Sequence, residues 1–294
     1  MNRSAVPGPD PSRARISRVR LGLLLTWPAV ALLSLGAVPF LILLRLSVAP
    51  LDLSGMWGSG FDLRAYTRIV DPEILRALGN SLELAVVVAG TSLCLGFPLT
   101  LLITRMSRGF QIFWLVLLLA TLSLSDVLIA FSWQVMLSKR VGLPQVFVWL
   151  GLINESDSLA PSRGAVVACL VYLVLPFTAL PLYPALSGIN WSLIEAARTL
   201  GASPARAFVS IVLPLTRRPS LAAFLVAAVL TMGTYVPPLV LGRPQSWPLS
   251  VLIGSTALAG HDLPGAAALS LFLLLATFVL AAATAWLARS RVKT

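Results

Sequence analysis

Six stretches of the chain are predominantly apolar and long enough to cross a bilayer as helix, which takes about 20 residues. They run over Leu21–Leu44, Leu82–Thr104, Ile112–Leu137, Ala165–Leu186, Ser220–Leu241 and Ala266–Ala288. Their apolar positions are continuous, not alternating, which fits helices and excludes barrel strands. The pattern predicts an all-α integral membrane protein with six transmembrane helices. A proline-rich basic start, residues 1–20, precedes them and is expected to be disordered. The first run exceeds the roughly 7–15 apolar residues of a signal peptide, and no small-x-small site follows it. It is read as a retained span.

Composition agrees. Only 11% of the 294 residues are charged and 57% are hydrophobic, against about 25% charged in a soluble domain. The net charge of +11 invites a nucleic-acid reading, but no aromatic-basic module is present to read bases. The position of the charges explains them better. One set of connections holds Arg105, Arg108, Arg198, Arg206, Arg217, Arg218 and the two basic ends: fourteen basic residues against the acids Asp10 and Glu195. The other set holds eight basic and seven acidic residues. By the positive-inside rule the first side is cytoplasmic, so both termini are expected there. Trp114, Trp191 and Trp286 fall near cytoplasmic span ends, where indole rings anchor to lipid headgroups. Residues 45–79 then form an extracytoplasmic loop, 80–288 a core of five spans and 289–294 a short tail. Cys94, Cys169 and the single histidine, His261, offer neither a disulfide framework nor a metal cluster. No catalytic residue is expected.

Inside the third run sits Asp126. An ionised carboxylate at that depth costs at least about 2.5 kcal/mol, so it must face water or protein. Two readings stand: an acceptor for a cationic solute in a translocation path, or a local cap with Ser123 and Ser125 or a neighbouring chain. Trp133 and Tyr235 are candidate path aromatics, because a cation rests well over a ring face; packing between helices is the other reading. The stretch Val141–Ile153 is apolar but short and contains Gly142 and Pro144. It is expected to lie at the outer surface as a re-entrant or interfacial helix.

Between spans four and five runs EAARTLGASPARAFVSIVLP, from Glu195 to Pro214, within a connection over 187–218. Ser203-Pro204 is a helix start and Gly201 a helix stop, so two short helices with a bend at Gly201 are expected. Ala196 and Leu200, at i and i+4, give the first helix a small apolar face. Glu195 stands ready for a charge-assisted bond to a partner. The second helix runs through Phe208 and Ile211 and turns back toward the membrane at Pro214.

This segment resembles the EAA loop of ATP-binding cassette importer permeases: Glu195, Ala196, Ala197, Gly201, Ile211, Leu213 and Pro214 stand at the family's spacing. GNSLELAVVVAG (Gly79 to Gly90), LPFTALPLYPALSGIN (Leu175 to Asn190), GTYVPPLVLGRP (Gly233 to Pro244) and LPGAAALSLFLLL (Leu263 to Leu275) are similar to the spermidine/putrescine branch. The likeness covers residues 80 to 290. Asn80 with Glu83 also reads as a capping pattern at the outer end of span two, and Pro176, Pro181 and Pro184 are expected to kink span four. Two positions depart from that branch: Thr234 stands where an acid is usual, and Ala130 where a cationic residue is frequent.

The resemblance implies a type I importer permease (MetI-like) core. Its loop would be the coupling helix that sits in a groove of a separate ATPase subunit. The chain has no Walker A pattern, and neither of its two lysines, Lys139 and Lys293, follows a glycine-rich loop. The resemblance thus implies two ATPase subunits that use ATP and Mg, a second permease chain, identical or not, and an extracytoplasmic solute-binding protein, all at a bacterial inner membrane. The expected cargo is a polyamine or related organic cation; ferric iron, thiamine or an organic acid are the alternatives. A stand-alone secondary transporter or channel is the reading from another class, and would leave the loop unexplained.

Overall fold

The computed structural model describes residues 11–51, 58, 60–139, 142–150 and 158–289, and every regular element among them is helical. Helix α1 covers Pro11–Ser47 and α2 is a single turn, Arg64–Thr67. The long α3 covers Pro72–Arg105, followed by α4, Arg108–Leu122, and α5, Asp126–Met136. After a short α6, Leu143–Trp149, comes α7, Arg163–Ser187. The connecting segment holds α8, Ser192–Thr199, α9, Pro204–Ala207, a π turn over Phe208–Val212, and α10, Leu213–Leu215. Helices α11, Arg217–Gly233, α12, Val236–Leu241, α13, Leu249–Leu258, and α14, Leu263–Arg289, complete the bundle.

Four helices are long and apolar enough to cross a membrane, or up to six spans result if each of two bent pairs, α4 with α5 and residues 204–215 with α11, counts as one. The all-α membrane fold stands, but two expected spans are broken. Span three divides at Ser123–Ser125, where α4 and α5 meet at 98°. Serine side chains compete with the helical backbone, and an acid favours a helix start, so Ser125-Asp126 opens a new helix rather than continuing the old. Span five ends at Gly233; Thr234 takes extended angles and α12 restarts with Pro237 in its first turn. Span four, with Pro176, Pro181 and Pro184 inside it, is the single 25-residue helix α7, and Thr178 Oγ1 donates to the Leu175 carbonyl at 2.8 Å.

Other boundaries also move. The basic start is helical from Pro11, not disordered to residue 20; Met1 to Asp10 lie outside the described residues. Proline suits a first helical position, arginine is a good helix former, and the span behind supplies the nucleus. Helix α3 begins ten residues ahead of the expected span, at Asp71-Pro72 with Glu73 in its first turn. Asn80 and Glu83 therefore lie inside the helix and cap nothing. Instead Asn80 Nδ2 donates to the Trp247 carbonyl at 3.2 Å, and Glu83 pairs with Arg163. Of Val141–Ile153, the described part forms α6; Val141 and residues 151–153 lie outside the description, as does the tail beyond Arg289. Helix α13 was not expected at all, because ten residues fall short of a span.

Helix α3 sits centrally, packed on both α7 and α11. The contact is made of small residues: Ala85 and Ala89 of α3, Ala227 and Ala228 of α11 and Cys169 of α7 are fully buried. In lipid, small side chains are what let helix backbones approach closely. Gly96 shows the limit, since a Cβ there would sit 2.8 Å from Thr178 Oγ1. Helix α5 packs on α12, α13 on α14, and α1 leans on α14.

Candidate functional site

The connecting segment is built by local caps. Asn190 Oδ1 accepts from the Ser192 N–H at 3.1 Å and the Ser192 hydroxyl at 2.8 Å, opening α8. The helix ends in a Schellman turn: the Gly201 N–H donates to the Arg198 carbonyl and the Ala202 N–H to the Ala197 carbonyl, both at 3.0 Å. Gly201 carries φ +87°, the left-handed value this turn requires. Ser203 Oγ then accepts from the Arg206 N–H at 3.3 Å and opens α9. The bend back into the bundle, 68°, falls at Thr216 between α10 and α11, two residues beyond Pro214.

The segment has two faces. Glu195, Ala196, Leu200, Gly201, Leu213 and Pro214 are exposed, while Ala197 and Ile211 are half-buried. Leu200 is 89% exposed, an apolar side chain with nothing of this chain over it. Glu195, in the first turn of α8, has no ion pair among the described residues. The seated face went unnoticed in the sequence. Trp191, Ile194, Phe208 and Val212 pack on Phe97 of α3 and on Leu182 and Leu186 of α7. Phe97 and Phe208 meet edge to face, centroids 5.8 Å apart. Sequence alone did not mark them, because Leu193, Val209 and Leu215 are equally bulky, equally outside the loop motif, and exposed.

The four expected path residues do not converge. Asp126 is the first residue of α5, exposed at the 98° break. Neither Ser123 nor Ser125 bonds its carboxylate, so the local cap is not formed. Trp133 is half-buried against the core, its ring 6.2 Å from that of Tyr172 on α7; here the packing reading describes what is found. Thr234 turns its hydroxyl back to the Thr231 carbonyl, 2.8 Å, and its own carbonyl accepts from Ser250 Oγ at 2.6 Å. Tyr235 faces a different space, a cleft of about 490 Å³ between α11, α13 and α14. Ser250, Ser270 and Thr277 add hydroxyls to its apolar walls.

Tyr235 occupies that cleft only because residue 254 is glycine: a Cβ there would lie 2.3 Å from Tyr235 Cε2. Gly254→Ala should therefore turn the ring out of the cleft, at about 1–3 kcal/mol of overpacking if it cannot move. Tyrosine fluorescence quenching by a lipid-soluble quencher, compared with wild type, reads the displacement. An unchanged signal means the ring does not depend on the glycine.

Two spermidine/putrescine transport system permease proteins, both PotB, are similar to this chain. That of Escherichia coli strain K12 is 28% identical over 236 residues, 80% of this chain and 86% of the relative. That of Haemophilus influenzae is 24% identical over 257 residues, 87% and 88% of the two. A chain of a bacterial ABC transporter involved in the import of the acidic polysaccharide alginate superposes with a TM-score of 0.69. At 20% identity, over 97% of this chain and 100% of that one, this shows a shared fold. The family described as binding-protein-dependent transport system inner membrane component matches residues 96–293, and the chain belongs to that family.

Proposed function

We propose that this permease imports a polyamine or related organic cation and is driven through the exposed face of α8 and α9 by a separate ATPase subunit. The observation that carries the coupling half is the open face around the Gly201 turn. There Leu200 and Glu195 give a partner an apolar anchor and a carboxylate. Glu195 would accept from a basic group of the ATPase, while Ala196 and Ala197 let the backbone approach closely. Ile211, Leu213 and Pro214 would fix how the segment re-enters the membrane. ATP and Mg belong to that subunit. Two copies of it, a second permease chain, identical or not, and an extracytoplasmic solute-binding protein complete the assembly. In this reading the basic loops and both ends face the cytoplasm.

The cargo half rests on similarity to the spermidine/putrescine permeases and on Asp126. Intramembrane carboxylates mark ion or substrate pathways by default, and this one is exposed on the isolated chain and unsatisfied by its neighbours. It would partly replace the acid missing at Thr234, on a path completed by the second chain. Asp126→Asn keeps the shape and removes the charge. Half-saturating spermidine in an uptake assay should then rise about tenfold or more, the worth of one charge-assisted bond. Unchanged uptake would assign Asp126 a structural role.

The deciding experiment is extraction of the tagged chain from native membranes in mild detergent, with identification of what accompanies it. An ATPase in near-equal amount supports the reading. A monodisperse chain that carries none would move the stand-alone transporter forward.

A further inference from the structure

Among the contacts that hold the coupling segment to α3 are two made by aromatic rings, one on each side of its bend. On the α9 side, Phe208 packs edge to face on Phe97. On the α8 side, the Arg105 guanidinium carbon lies 3.9 Å from the centroid of the Trp191 ring, a cation–π distance. Trp191 immediately precedes α8, and Arg105 is the last residue of α3. Phe97 and Arg105 are eight residues apart, a little over two turns, so they lie toward one side of the helix. Between the two holds the Gly201 turn is exposed, and a Cβ at Gly201 would meet nothing within 4 Å.

The other end of α3 holds something else. Ser81 Oγ accepts from the Leu249 N–H at 2.8 Å, and Asn80 Nδ2 donates to the Trp247 carbonyl at 3.2 Å. These bonds fasten α3 to the connection between α12 and α13, at the end of the bundle opposite the coupling segment. Helix α3 is one element over its 34 residues, Pro98 included, about 50 Å. It joins the two ends of the bundle without the breaks that separate α4 from α5 and α11 from α12.

Resting on the coupling role proposed above, we infer that Arg105 is a positioning residue. Through Trp191 it locks α8 to α3, so that α3 carries displacement of the coupling segment to the connection over residues 242–248. Arg105 also suits a helix C-terminus, where a cation complements the dipole. That structural role requires no ring opposite it. The transmission role requires both the cation and the ring.

The test uses the native complex with its ATPase, reconstituted in lipid. Gln245→Cys is introduced in the distal connection, where Gln245 is exposed. Its rate of modification by a membrane-impermeant maleimide is measured above the background of the unaltered chain, without nucleotide and with ATP plus vanadate. In the otherwise wild-type chain ATP should change the rate. Arg105→Ala and Trp191→Leu should each abolish the ATP-dependent change while the ATPase stays bound and hydrolyses ATP. The double variant should be no worse than either, and Arg105→Lys should restore most of the response. An ATP response that persists in Arg105→Ala overturns the inference. So does the absence of any response in the otherwise wild-type chain with ATPase bound. Loss of the ATPase from the Arg105→Ala complex also overturns it, because Arg105 would then shape the docking face. If the wild-type chain binds no ATPase, the coupling reading itself fails, and this inference fails with it.

Discussion

Replacing Gly201 by valine should strip the ATPase from the purified permease and leave the permease folded. The residue sits at φ +87° with open space around its Cα, so the whole cost is in the backbone. For an L residue that cost is about 1–2 kcal/mol, and a β-branched side chain is among the least tolerated there. The segment escapes it by giving up the Schellman turn, and with it the two 3.0 Å bonds that end α8. The angle between α8 and α9 is then no longer set, and the face carrying Glu195 and Leu200 loses its shape. Co-purified ATPase per permease should fall severalfold, with the detergent melting temperature of the permease close to wild type. Gly201→Asn tolerates the left-handed region and should retain most of the ATPase. Equal retention by the valine variant would mean that the turn does not define the docking face.

The second large effect is on stability. Gly96→Val places a branched side chain where Thr178 Oγ1 would stand 2.8 Å and Leu175 Cδ1 3.5 Å from the new Cβ. Thr178 is fully buried, and Thr100 Oγ1 alongside donates to the Gly96 carbonyl at 2.6 Å. The α3–α7 contact must open, costing about 1–3 kcal/mol or more in overpacking and lost dispersion. Gly90→Ala, on the same helix, meets nothing within 4 Å and should be neutral or stabilise slightly through helix propensity. Thermal aggregation of the two variants in detergent separates these outcomes. A Gly96→Val chain as stable as wild type would show that the two helices have room to part.

The bend of the coupling segment was legible in the sequence, but its start at Asn190-Ser192 and its return at Thr216 were not. The caps at Gly201 and Ser203-Pro204 are local: they act on residues three or four positions away, and the chain folds there as those residues dictate. The candidate path was legible only in part. Asp126 announced itself by charge, and its exposed place at a helix start follows from the serines before it. Trp133 and Tyr235 were indistinguishable as aromatics in apolar runs, yet one packs on Tyr172 and the other enters a cleft lined by a helix the hydropathy pattern had passed over. Spans three and five looked continuous because the apolar average runs straight across Ser123–Ser125 and Thr234, where the helices in fact end. The start of α3 was misplaced because two capping patterns competed, and Asp71-Pro72 won by giving up no backbone N–H.

By itself the sequence determined that the chain lies in a membrane, roughly where it crosses, which loops are basic and how the segment at Gly201 bends. Each of these depends on neighbouring residues alone: the transfer free energy of a run, the charge of a loop, the torsion of a turn. Only the tertiary structure decided that α3 is the central helix, that Gly96 is where it touches α7, that Gly254 makes room for Tyr235, and that Arg105 rests on Trp191. Helices apolar on every side carry no stripe to mark their buried face. Their partners are chosen by the fit of small residues across distant segments, and that fit exists only once the segments are assembled.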